Sequence, residues 1–205
     1  MQSYLEKHPV IAILRGITES AVIDVAKILY EHGIRVIEVP LNKPSAFACI
    51  SKIVNCLPND CLVGAGTVTT VDQVKAIADL GAKLIISPHC DLKLIKYSQQ
   101  LSMTVMPGVA TPSEAISAYQ AGAKWLKLFP ATTYGIQHLA ALKTVLPQDC
   151  HLIPVGGISA KNGQQWLTAG ACALGIGNDL FREHDTPTTV KEKITRINHM
   201  LGMSV

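Results

Sequence analysis

Eight short apolar runs, recurring at roughly 20–27 residues, constrain this chain more than any other feature. They are "VIAIL" (10–14), "RVIEVP" (35–40), "CLVGAG" (61–66) and "KLIISP" (83–88). Then come "MTVMPG" (103–108), "KWLKLFP" (124–130), "HLIPVGG" (151–157) and "ALGIG" (173–177). All are rich in Val, Ile and Leu and show little strict alternation. That is the pattern of strands buried on both faces.

Amphipathic segments fill the intervals. Residues 19–32 place Val22, Ile23, Ala26 and Leu29 on one side and stop at Gly33, which reads as a C-terminal cap. Residues 70–81 open with Thr70 and Gln73 at capping-box spacing and end at Gly81. In 111–122, Thr111 caps, Pro112 takes the first helical position, Glu114 closes the box and Gly122 ends the helix. A last helix is expected over roughly 188–200.

Regular strand–helix alternation predicts a parallel sheet covered by helices. Eight units in 205 residues predict an α/β chain folded as one (β/α)8 TIM barrel over residues 1–205, near the lower size limit of that fold. An open doubly wound sheet is the rival, but no G-x-G-x-x-G follows the first run.

Composition excludes several functions. Charged residues are 16%, against roughly 25% in ordinary soluble domains. A large covered core is expected, with room for an oligomer interface. The net charge of +3, with no basic run, gives no reason to expect a nucleic-acid partner. No apolar stretch approaches a membrane span, and the N-terminus lacks a signal-peptide pattern, so no membrane partner and a cytoplasmic location are expected. The cysteines, at 49, 56, 61, 90, 150 and 172, form no C-x-x-C. They read as small core residues in a reducing compartment, and the adjacent His89 and Cys90 as incidental rather than metal-binding.

One residue breaks the sixth run. Lys127 stands between Leu126 and Leu128, and a lysine is almost never buried without a partner. Alternation puts Trp125, Lys127 and Phe129 on one strand face, and the two leucines on the other. The leucines must face the helices, so Lys127 points inward. By the same argument Val36 and Glu38 point inward, while Ile37 and Val39 face the helices. In barrels of this kind chemistry sits at the C-terminal strand ends. Arg15, Glu38, Thr67, Pro88, Pro107, Lys127, Gly156, Gly157 and Gly177 all fall on that rim. A lysine beside an acid can be a reactive amine, or an ion pair that merely fills the interior. Burial and Arg15 would lower the lysine pKa and a charged Glu38 would raise it, a balance left open at this level. The glycines of "PVGGIS" and "GIGND" fit a phosphate held by backbone N–H groups after the seventh and eighth strands.

Taken together, "AILRG", "IEVPLNKP", "GAGTV", "MPGVATPSEA", "KLFPA", "PVGGIS" and "GIGNDLF" resemble the aldolases that cleave 2-keto-3-deoxy-6-phospho sugar acids. The resemblance runs from about residue 9 to 182. It implies a homotrimer of (β/α)8 barrels with a Schiff-base lysine, no cofactor and no metal. It implies that Lys127 forms the imine and that Glu38 transfers protons. It further implies that Arg15 and Thr67 contact the substrate, Thr67 near the pyruvate carboxylate, and that Phe129 packs on it. Gly156, Gly157 and Gly177 would form the phosphate end, with Asn178 where the family usually has serine. The partners so implied are a phosphorylated keto sugar acid and pyruvate. Asn42 and Val155 resemble the galactonate branch, whereas the gluconate branch has an arginine after the glutamate and a threonine in "PTGG". The alternatives are a gluconate-type or 4-hydroxy-2-oxoglutarate aldolase and, of another class, a phosphate-binding barrel without lysine chemistry.

Overall fold

The computed structural model describes residues 1–6 and 8–203. In chain order the elements are α1 (Gln2–Leu5), β1 (Val10–Ile13), α2 (Val22–Glu31), β2 (Val36–Pro40), α3 (Ala46–Cys56), β3 (Leu62–Gly66), α4 (Val71–Asp79), β4 (Leu84–Ile86) and α5 (Leu92–Gln100). They continue with β5 (Thr104–Met106), β6 (Gly108–Val109), α6 (Pro112–Gln120), β7 (Trp125–Leu128), α7 (Ala131–Tyr134) and α8 (Ile136–Val145). The last are β8 (His151–Pro154), α9 (Ala160–Thr168), β9 (Leu174–Ile176) and α10 (Pro187–Met200).

All strand pairs are parallel. Six strands form one sheet in the order β5-β4-β3-β2-β1-β9, and three form a second in the order β6-β7-β8. The fifth apolar run does not stay one strand. Pro107 has no N–H to give and divides it. Met106 O accepts from Ser87 on one side, and Pro107 O accepts from the Lys127 N–H at 2.9 Å on the other. The run thus passes from the first sheet to the second. Pro107 ends β5, as expected, and also marks this passage. At the other margin Val155 bridges Gly175 in parallel, and the Cys172 N–H donates to Leu152 O.

Side chains divide as the alternation requires. Ile11, Ile13, Val36, Leu84, Ile86, Met106 and Ile153, drawn from both sheets, pack in one inner cluster. Val10, Ala12, Ile37, Val39, Ile85, Leu126, Leu128 and Leu152 pack outward with the helices. The inner cluster is closed at one end by Leu5, with Met1 and Tyr4 beside it, so α1 is a plug. Nothing in the periodicity announced it.

Local signals decide the helix ends. The capping boxes at Thr70–Gln73 and Thr111–Glu114 both form, and at Ser159 the backbone N–H donates to the Asn162 side chain at 2.9 Å. Gly33, Gly81 and Gly122 all have positive φ after their helices. The helix expected from residue 19 begins at Val22, without a side-chain cap, because Thr18–Ala21 forms a turn first. The cysteines are free thiols. Burial pushes Cys61 and Cys172 up to about 12 and Cys150 up to about 11, which makes them poor nucleophiles. Among the described residues no helix is long and apolar enough to cross a membrane.

Candidate active site

A cavity of about 360 Å³ opens at the C-terminal ends of the strands. Arg15, Glu38, Thr67, Lys127, Phe129, Val155, Gly156, Gly157, Gly177 and Asn178 all line it, so every site residue expected from the sequence reaches one place. Ile13, Ile158 and Gly175 line it as well. The alternation of the first run, which turns Ile11 and Ile13 inward together, was the available signal for Ile13. Gly175 makes room, since a Cβ there would meet Val155 Cγ2 at 2.6 Å.

Glu38 sits mid-strand in β2, paired with Ile13 on one side and Gly64 on the other. It is 3% exposed, and its Oε2 has no hydrogen-bond partner. Its carboxyl lies over Gly66, where any Cβ would collide with it. Burial pushes its pKa up to about 7, against the pull of Lys127 and Arg15. An unpartnered buried carboxyl is costly to the fold, which makes Glu38 a candidate for chemistry.

Lys127 projects from β7 and is 7% exposed. Its Nζ lies 4.5 Å from the centroid of the Phe129 ring. Burial lowers its pKa, Glu38 opposes the shift and Arg15 adds to it. Among the described residues the ion pairs are Arg35–Asp60, Lys43–Glu183, Lys52–Glu19, Lys75–Asp79, Lys124–Asp149, Lys193–Asp185 and Arg196–Asp179. Lys127 and Glu38 are not among them. The two share the cavity without closing on each other, which counts against an ion pair that merely fills the interior.

The rim is backbone-driven. Thr67 has φ +59°, a left-handed conformation that costs a β-branched residue about 1–3 kcal/mol. It follows directly on Gly66 and takes the cavity edge beside Glu38. Across the mouth, Gly156 and Gly157 both have positive φ. Among the described residues the N–H groups of Gly157, Ile158 and Asn178 donate to no protein acceptor. These residues line one cavity from two loops, and backbone N–H groups without a protein acceptor are what an anion site uses. The arrangement brings into one cavity a buried amine, a buried carboxyl, a cation at Arg15 and backbone N–H groups without protein acceptors.

A family model described as "Aldolase: KDPG and KHG aldolase" matches residues 1–197. A 2-dehydro-3-deoxy-6-phosphogalactonate aldolase of Escherichia coli (strain K12) is 42% identical over 176 residues, 86% of each chain. The solved "Native KDPGal structure" is 38% identical with a TM-score of 0.92, covering 95% of this chain and 94% of that one. A KDPG aldolase from Legionella pneumophila, solved with pyruvate captured at low pH as a covalent carbinolamine intermediate, is 30% identical. Its TM-score is 0.87, covering 100% of this chain and 98% of that one.

Proposed function

Because the chain belongs to the KDPG and KHG aldolase family, we propose that it cleaves 2-dehydro-3-deoxy-6-phosphogalactonate to pyruvate and D-glyceraldehyde 3-phosphate through an imine on Lys127. The observation that carries this reading is the shared cavity of Lys127 and Glu38, unpaired with each other, which the acceptor-free N–H groups of the glycine loops also line.

Desolvation favours the neutral lysine amine, which attacks the C2 ketone to give a carbinolamine. Loss of water leaves a protonated imine. Glu38, near 7, can hold or release a proton at neutral pH. Acting through a water, it takes the C4 hydroxyl proton as the C3–C4 bond breaks. The bonding electrons pass to the imine nitrogen, leaving an enamine and releasing the aldehyde. Protonation of the enamine at C3 and hydrolysis return pyruvate and the free amine. Arg15 and Thr67 contact the substrate, Thr67 at the carboxylate. Phe129 packs on the substrate, and Gly156, Gly157, Gly177 and Asn178 hold the phosphate. The pyruvate carbinolamine of the Legionella relative supports the first step.

Two structural readings accompany this one. The two sheets are read as one closed eight-stranded barrel, supported by the Pro107 passage and the Val155–Gly175 bridge. The working form is read as a homotrimer of single-domain chains. Supporting it, Leu92, Ile116 and Tyr134, on the successive helices α5, α6 and α7, are large apolar side chains left exposed.

The galactonate preference rests on Val155 at the cavity wall and on the similarity to the Escherichia coli relative. Cleavage of the two C4-epimeric phosphosugar acids, coupled to pyruvate detection, tests it. A kcat/KM at least about tenfold higher for the galactonate epimer is expected, the size that one altered wall contact can supply. Equal values would leave the broader gluconate or 4-hydroxy-2-oxoglutarate activity in its place.

A further inference from the structure

The phosphate end of the cavity lacks charge. Gly156, Gly157, Ile158, Gly177 and Asn178, which line it, are all neutral. A phosphomonoester carries close to two negative charges at neutral pH. Of the two cations that line the cavity, Lys127 is consumed by the proposed imine, and Arg15 lies close enough to Lys127 and Glu38 to act on both.

The loop after β9 holds another cation within reach. Arg182 donates from Nε to the carbonyl of Asn178 at 3.0 Å. Its guanidinium is therefore anchored on a residue that lines the cavity. Three acids share this loop, and each is already matched from another element. Asp179 pairs with Arg196 at 2.7 Å, Glu183 with Lys43, and Asp185 with Lys193. Asp185 also accepts the Arg182 backbone N–H at 2.7 Å. Among the described residues no carboxylate forms an ion pair with the Arg182 guanidinium, and its side chain is exposed.

We propose that Arg182 is a substrate-binding residue. With Nε held on Asn178, the two terminal NH2 groups present a free edge that closes on the substrate phosphate from outside the glycine cradle. A guanidinium suits this task, because one edge can stay on the carbonyl while the other makes parallel bonds to two phosphate oxygens. Lysine carries the charge but not the fork. The inference rests on the phosphosugar-acid reading above.

The test compares cleavage of 2-dehydro-3-deoxy-6-phosphogalactonate with that of its unphosphorylated counterpart. The parent enzyme, Arg182→Gln and Arg182→Lys are each assayed on both substrates. Arg182→Gln is expected to lower the ratio of kcat/KM between the two substrates by about tenfold, through KM for the phosphorylated one. Arg182→Lys should lose less. A parental ratio in Arg182→Gln overturns the inference, as does an equal loss on both substrates, which would mark a general structural role. In both cases the parent's own preference for the phosphorylated substrate keeps the function reading standing. A parent without that preference brings down the inference and the phosphate reading together.

Discussion

Glu38 sets the behaviour of this molecule with pH. Its carboxyl titrates near 7 when folded, against an ordinary 4.5, because burial disfavours the charged form. Below about 4.5 it is protonated in both states and costs nothing. Between 4.5 and about 7 the unfolded chain has lost the proton and the folded chain keeps it. The folded state then binds more protons, so stability falls as pH rises through that window. At roughly 1.4 kcal/mol per unit, the penalty above pH 7 is on the order of 3–4 kcal/mol. Glu38→Gln should therefore be more stable than the parent at pH 8 and about equal to it at pH 4, read by urea unfolding. The same variant should lose about 10²-fold or more in kcat. It should also flatten the rise of kcat with pH near 7, a rise whose apparent pKa belongs to the Lys127–Glu38 pair. Parental turnover in Glu38→Gln would remove the proton-transfer role. This acid was legible in the sequence because alternation turned it inward. Its titration was not, because that depends first on how completely the fold buries it and then on how near Lys127 and Arg15 stand.

At the scale of elements, β3 carries two glycines with different duties. A Cβ on Gly64 would meet the backbone of Leu84, which cannot move without parting β3 from β4. The atoms nearest a Cβ on Gly66 are those of the Glu38 carboxyl, the end of a side chain. Gly64→Ala is therefore expected to give little folded protein. Gly66→Ala should fold, with kcat lower by about 10–100-fold as Glu38 is displaced. Circular dichroism and turnover on both variants check the contrast, and a fully active Gly66→Ala would mean that Glu38 need not sit where it does. Helix starts at Thr70 and Thr111 could be read directly, since a capping box is a four-residue signal. The plug α1 could not, because four residues are too few for periodicity and are held by tertiary packing on Leu5. Nor could the division at Pro107 be read, because an apolar run does not record which edge of the sheet it will meet.

Across the whole molecule, low charge and a wide core were read correctly, but composition carries no symmetry. In the proposed trimer the exposed Leu92, Ile116 and Tyr134 would take the partner copy. Sedimentation should give three times the 22.0 kDa of one chain, and Ile116→Asp should shift the mass toward that of the monomer. A parent that sediments as a monomer would end the trimer reading. The chemistry reads out on the same intact chain. Incubation with pyruvate and borohydride, followed by intact-mass and peptide mass spectrometry, tests the imine itself. A single reduced pyruvate adduct on Lys127, missing in Lys127→Met, is the result this account predicts. No adduct, or an adduct on another lysine such as Lys124, would contradict it.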